Sequence, residues 1–142
     1  MKRNATAQWI GDFKSGKGTL STDSGVLKTT PYSFTTRFES GKGTNPEELI
    51  AAAHAGCFTM ALSAFLGKAG FVADQLTTEA TVVLEQPEGN WTVTAIMLNL
   101  DAKIPNITES VFQEIAANAK DNCPISRLLN AVITLEARLE NT

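Results

Sequence analysis

Residues 45–66 read NPEELIAAAHAGCFTMALSAFL, and this stretch decides the fold. Asn45 suits an N-cap, Pro46 suits the first helical position, and Glu48 stands where a capping box places its acid. From Leu49 to Leu66 almost every residue is apolar or small, and Gly70 supplies a stop. A helix over 46–69 would be about 36 Å long. It is apolar on nearly every face, so burial is expected on all sides. An apolar run of about eighteen residues also reaches the threshold for a membrane span. Against that reading, the run contains His54, Thr59 and Ser63, is diluted by alanine and glycine, and starts with two acids. A buried helix of a globular protein is the better reading.

The flanking segments read as sheet. Before the helix, Thr6-Ala7-Gln8-Trp9-Ile10, residues 19–22 and residues 26–30 fit short strands. Gly11-Asp12, Ser15-Gly16-Lys17-Gly18 and Asp23-Ser24-Gly25 are turn signals between them. Phe34-Thr35-Thr36-Arg37-Phe38 reads as a further strand, with Phe34, Thr36 and Phe38 on one face. After the helix, residues 78–86 alternate, Pro87-Glu88-Gly89-Asn90 is a hairpin turn, and residues 91–100 return. Thr108 caps a second helix with an apolar stripe of Val111, Phe112, Ile115, Ala116 and Ala119. Cys123-Pro124 opens a short segment through Leu129, and residues 131–139 form a last strand. The expected fold is α+β, with antiparallel strands wrapped around a long buried central helix. We expect one domain over 1–142: N-terminal strands about 1–40, the long helix about 46–69, and the hairpin, second helix and last strand about 78–140. Six short strands would not cover such a helix on every side, so a homodimer with the long helices near the interface is expected.

Composition narrows the function. Hydrophobic residues make up 43% and charged residues 19% of the 142, which excludes a disordered chain. A net charge of -3 argues against nucleic acid or anionic lipid as partners. One histidine and two cysteines cannot make a structural zinc site by themselves, because such a site needs four ligands. The first nine residues carry two positive charges but no apolar run behind them, so they do not read as a signal peptide. A cytoplasmic location is expected, where a cysteine pair is more often catalytic or redox-active than a permanent staple.

Cys57 lies mid-helix after the small residues Ala55 and Gly56, which leave room for another group to approach. A plain buried hydrophobe is the other reading of this cysteine. Cys123 precedes Pro124, where a helix start would favour its thiolate. His54 shares a helix face with Cys57; a core histidine is preferred over a Cys-His nucleophilic pair. Arg37 and Glu47 complete the candidates. Each also has an ordinary reading, as a solvated arginine and as an acid favouring the helix dipole.

Four motifs in order carry a resemblance: Thr36-Arg37-Phe38-Glu39, Gly43-Thr44-Asn45-Pro46-Glu47-Glu48-Leu49, Ala52-Ala53-His54-Ala55-Gly56-Cys57-Phe58, and Cys123-Pro124-Ile125-Ser126. The chain resembles the osmotically inducible protein C and organic hydroperoxide resistance (OsmC/Ohr) family over its full length, and its OsmC branch in particular. Gly56 departs from the alanine expected there. The resemblance implies a thiol-dependent peroxidase that uses no metal or bound cofactor and works as an intertwined homodimer. It implies Cys57 as peroxidatic and Cys123 as resolving cysteine, with Arg37 and Glu47 serving the thiolate. It implies organic hydroperoxides as substrates and dithiols, lipoyl groups among them, as reductants. Phe34, Phe38, Phe58 and Phe65 lie near these motifs in sequence; if some of them line the approach to Cys57, the site should prefer bulky organic hydroperoxides to hydrogen peroxide. Glu47 and Cys57 are ten residues apart on one helix, about 15 Å along its axis. Composite sites are therefore expected, with Cys57 and Cys123 from one chain and Glu47 and Arg37 from its partner. The competing functions are a hot-dog-like thioesterase with Glu47 as base, and a non-enzymatic dimeric stress or binding protein.

Overall fold

A computed structural model describes residues 1–140 and divides the chain into two compact units, Met1–Leu49 and the remainder from Ile50. In the first, β1 (Ala5–Ile10), β2 (Lys17–Thr22) and β3 (Thr30–Tyr32) form an antiparallel sheet in that order. Trp9 pairs with Gly18 and Gly18 with Tyr32, and the two rings meet edge-on at 5.5 Å. A Cβ at position 18 would strike both rings, so only glycine lets them meet over β2.

Two local expectations are corrected here. Residues 26–29 are turn rather than strand, because the Thr22 hydroxyl and backbone hold Leu27 in a closed loop. Residues 34–38 are a helix, α1 (Phe34–Phe38), not a strand. The Ser33 hydroxyl accepts the Thr36 N–H while the Thr36 hydroxyl accepts the Ser33 N–H at 2.7 Å. This reciprocal box satisfies the backbone locally and outcompetes the alternating pattern that suggested a strand.

α2 (Pro46–Lys68) is one uninterrupted helix. Asn45 caps it, accepting the Glu48 N–H at 2.8 Å, while the Glu48 carboxylate takes the Thr44 hydroxyl at 2.7 Å. Gly70 ends it at φ +89°, as the Phe71 N–H returns to the Leu66 carbonyl. By length and composition α2 would also suit a membrane span. Instead it buries His54, Phe58, Leu62 and Leu66 as a stripe at four-residue spacing. Burial on every side is met along that stripe only: Ala52, Ala53, Gly56, Met60, Ser63 and Ala64 are exposed, Met60 at 76%.

In the second unit β4 (Gln75–Glu85) pairs antiparallel with β5 (Thr92–Lys103) across a turn at Pro87–Gly89. β5 continues into α3 (Glu109–Asn122), capped by Thr108, and α4 (Pro124–Leu128). The chain then returns as β6 (Val132–Leu139), which lies parallel to β5. An all-antiparallel arrangement is thus corrected at this edge, since two helices intervene and supply the crossover that parallel strands require. The α2 stripe shares one core with Ile96, Leu98, Leu100 and Ala102 of β5, Phe112, Ala116 and Ala119 of α3, and Cys123.

Candidate active site

Cys57 flanks the buried stripe of α2 and is half-buried. Cys123 is fully buried at a junction that its neighbours impose. Its N–H closes α3 on the Ala119 carbonyl, and Pro124, lacking an N–H, begins α4. The Cys123 sulfur then caps α4, accepting the Ser126 N–H at 3.5 Å. The two sulfurs, 66 residues apart in sequence, share a hydrogen bond at 2.9 Å.

The thiols differ in acidity. Burial pushes Cys57 up, and its hydrogen bond with Cys123 adds to this. Burial also opposes ionisation of Cys123, but hydrogen bonds outweigh it and bring its pKa down. They come from Cys57, from the Ser126 N–H and hydroxyl, and from the Ile125 N–H. The sequence expectation of an acidic thiol at a helix start is met at Cys123.

His54 is fully buried, and its Nε2 lies 2.7 Å from Ser126 Oγ, so the core reading holds rather than a Cys-His pair. Burial lowers its pKa and keeps the ring neutral. Ser126 belongs to a quoted motif, but sequence reasoning gave it no role. The available signal was its place three residues after Cys123, where an N-cap finds its partner. A Cβ at Gly56 would meet nothing within 4 Å, so packing within the chain does not force that glycine.

In the first unit Arg37 ends α1 and Glu47 begins α2. Arg37 Nε donates to Oε1 and Oε2 of Glu47 at 3.1 and 3.3 Å, and Nη2 donates to Oε1 at 2.8 Å. Asn45 holds the two helix ends together, donating to the Thr36 carbonyl at 2.9 Å. Glu47 thus does more than favour the helix dipole: it fixes one edge of the guanidinium. Arg37 borders a cavity of about 360 Å³ lined by Trp9, Phe13, Tyr32, Phe34 and Phe38. The Arg37 guanidinium also lies 5.2 Å from the Phe38 ring centre. Phe34 and Phe38 line the cavity beside Arg37 together with Trp9, Phe13 and Tyr32, to which sequence reasoning gave no role. Phe58 is instead fully buried in the core and Phe65 packs against it. Among the described residues no group of three or more His, Cys, Asp or Glu could hold a metal ion.

A mixed α+β fold presenting two thiols in contact defines a thiol-based redox protein. The model of the OsmC-like protein family matches residues 39–138, and the chain belongs to that family. It is 50% identical over 139 residues to the peroxiredoxin OsmC of Escherichia coli (strain K12), spanning 98% of this chain and 97% of that one. Among solved structures, the organic hydroperoxide resistance protein OhrB of Bacillus subtilis matches with a TM-score of 0.70 at 25% identity. That match covers 95% of this chain and 98% of the other. An OsmC-like protein of Vibrio cholerae matches with a TM-score of 0.78 over 97% and 99% of the two chains; at 17% identity this shows the fold alone. The chain is a peroxidase of the peroxiredoxin type.

Proposed function

We propose that this protein reduces organic hydroperoxides to alcohols through a Cys57 sulfenic acid and a Cys57–Cys123 disulfide. The contact of the two sulfurs at 2.9 Å is the observation that carries this reading. The Cys57 thiolate attacks one peroxide oxygen, the O–O bond breaks, and the alkoxide leaves and takes up a proton as alcohol. Cys57 is then a sulfenic acid. Cys123 attacks it, forming the S–S bond and releasing water. An external dithiol, the lipoyl class among the candidates, reduces the disulfide by exchange.

Cys57 needs a cation, because burial disfavours its thiolate. Arg37, held by Glu47, suits that role, favouring both the thiolate and the charge developing on the peroxide oxygens. Glu47 and Cys57 lie ten residues apart on the unbroken α2, about 15 Å along the axis. That separation favours a homodimer with composite sites, in which Cys57 and Cys123 come from one protomer and Arg37 and Glu47 from its partner. The exposed small-residue face of α2 also favours an assembled form. The aromatic cavity beside Arg37 suits a bulky organic group better than hydrogen peroxide. The reading includes a cytoplasmic site of action, where reducing conditions keep both thiols ready.

The test is stoichiometric addition of cumene hydroperoxide to reduced protein. Loss of both thiols and a peptide pair linking Cys57 to Cys123 are expected in the mass spectrum. Unchanged thiols would leave two inert cysteines and overturn the reading.

A further inference from the structure

We infer that His54 and Ser126 are positioning residues for disulfide formation: a hydrogen-bond relay from His54 through Ser126 presents the Cys123 sulfur to oxidised Cys57. This inference rests on the two-cysteine reading above and adds residues with no part in it.

His54 is the only histidine of the chain and is fully buried in the stripe that α2 turns to the core. The peroxide chemistry does not use it. Its Nε2 meets Ser126 Oγ at 2.7 Å, and its Nδ1 has no partner among the described residues. These contacts assign the tautomer. Had Nδ1 carried the proton, a buried N–H donor would be orphaned, which proteins avoid more strictly than an unused acceptor. The proton therefore sits on Nε2 and is donated to Ser126. Ser126, its hydroxyl oxygen occupied by His54, donates its backbone N–H to the Cys123 sulfur at 3.5 Å. One residue thus joins the buried histidine to the resolving sulfur, and His54 holds that residue in place.

The groups facing Cys123 are Cys57 from α2 and Ile125 and Ser126 from α4. No carboxylate or cation of the described residues contributes to its acidity. Hydrogen bonds from Cys57 first, then from Ser126 and Ile125, bring the pKa of this buried thiol down. In the condensation the Cys123 sulfur attacks Cys57, the S–S bond forms and the S–O bond of the sulfenic acid breaks. The departing hydroxyl combines with the Cys123 thiol proton as water. The step needs no external oxidant, and His54 transfers no proton.

The experiment mixes reduced protein with one equivalent of cumene hydroperoxide across the neutral pH range. It follows sulfenic acid by dimedone trapping and disulfide by mass spectrometry. Ser126→Ala and His54→Phe should form sulfenic acid at the wild-type rate. Their disulfide should form about tenfold more slowly at neutral pH, because Ser126 no longer holds the Cys123 sulfur in line for attack. The pH midpoint of that step should rise, and sulfinic acid should accumulate with excess peroxide. His54→Gln, whose amide can still donate to Ser126, should restore the wild-type profile. A residue with a merely structural role would not move that midpoint. If His54→Phe does not fold, Ser126→Ala carries the test, since it leaves the histidine packing intact. Wild-type condensation rates and pH midpoint in Ser126→Ala overturn the relay. A wild-type protein that forms sulfenic acid but never the disulfide overturns the two-cysteine reading itself, a different failure.

Discussion

The sulfur of Cys123 lies 2.9 Å from that of Cys57 while capping the first turn of α4. A disulfide needs the sulfurs at about 2.05 Å, so closing the bond asks for under an ångström of movement between them. The same contact makes the thiols unequal, with Cys57 up and Cys123 down. In the proposed reaction the more acidic sulfur is the resolving one, and the peroxide-reacting sulfur depends on a cation brought to it.

A division of labour follows for the cysteines. Cys57→Ser should abolish consumption of cumene hydroperoxide, because a hydroxyl does not replace a thiolate. Cys123→Ser should complete one reaction and then over-oxidise to sulfinic acid. Peroxide assays with intact-mass measurement separate the two outcomes. Full turnover in Cys57→Ser would reverse the roles.

Arg37→Lys should lower kcat/KM for organic hydroperoxide by about a hundredfold, the scale of removing one aimed donor from a developing charge. A lysine presents a point charge and cannot reproduce the Nε and Nη2 contacts with Glu47. Stability should change by no more than about 1 kcal/mol, because the Arg37 side chain is 37% exposed. Kinetics beside a denaturant titration check both halves, and wild-type kcat/KM would remove the pair from the chemistry.

Phe13→Ala should weaken catalysis on cumene hydroperoxide while leaving hydrogen peroxide unaffected. Phe13 lines the aromatic cavity but is 61% exposed, so truncation should leave the fold intact. Losing one aromatic contact corresponds to about a tenfold fall in kcat/KM for the bulky substrate. Equal losses on both peroxides would show that the cavity does not select.

Mixing inactive Cys57→Ser with inactive Glu47→Ala should restore activity in refolded heterodimers. One site of each heterodimer would carry both lesions and the other neither. Recovery of wild-type controls without recovery of the mixture would place all four residues within one chain.

His54 predicts an acid sensitivity of the fold. Its pKa is lowered from 6.5 by burial, so the unfolded chain binds a proton that the folded chain refuses. Stability from the neutral buried ring is therefore fully present above 6.5 and is lost as pH falls below it. As the only histidine, it makes the test clean: unfolding free energy should decline between neutral and mildly acidic pH, and His54→Gln should flatten that decline. An unchanged slope in the variant would locate the effect elsewhere.

What was legible in the sequence has local causes. Asn45, Pro46 and Gly70 mark the ends of α2 because capping and left-handed backbone depend on neighbours a few residues away. The Thr108 cap and the Cys123-Pro124 junction are local in the same sense. Local signals also misled: Phe34, Thr36 and Phe38 alternate like a strand, but the Ser33–Thr36 box makes them a helix. Tertiary structure alone decided that Cys57 meets Cys123 across 66 residues and His54 meets Ser126 across 72. It also decided that β6 runs parallel to β5 and that only one stripe of α2 is buried within the chain. Those contacts arise where separate elements pack their apolar faces together. Periodicity and propensity describe one element at a time and leave the choice of its neighbour to the packing.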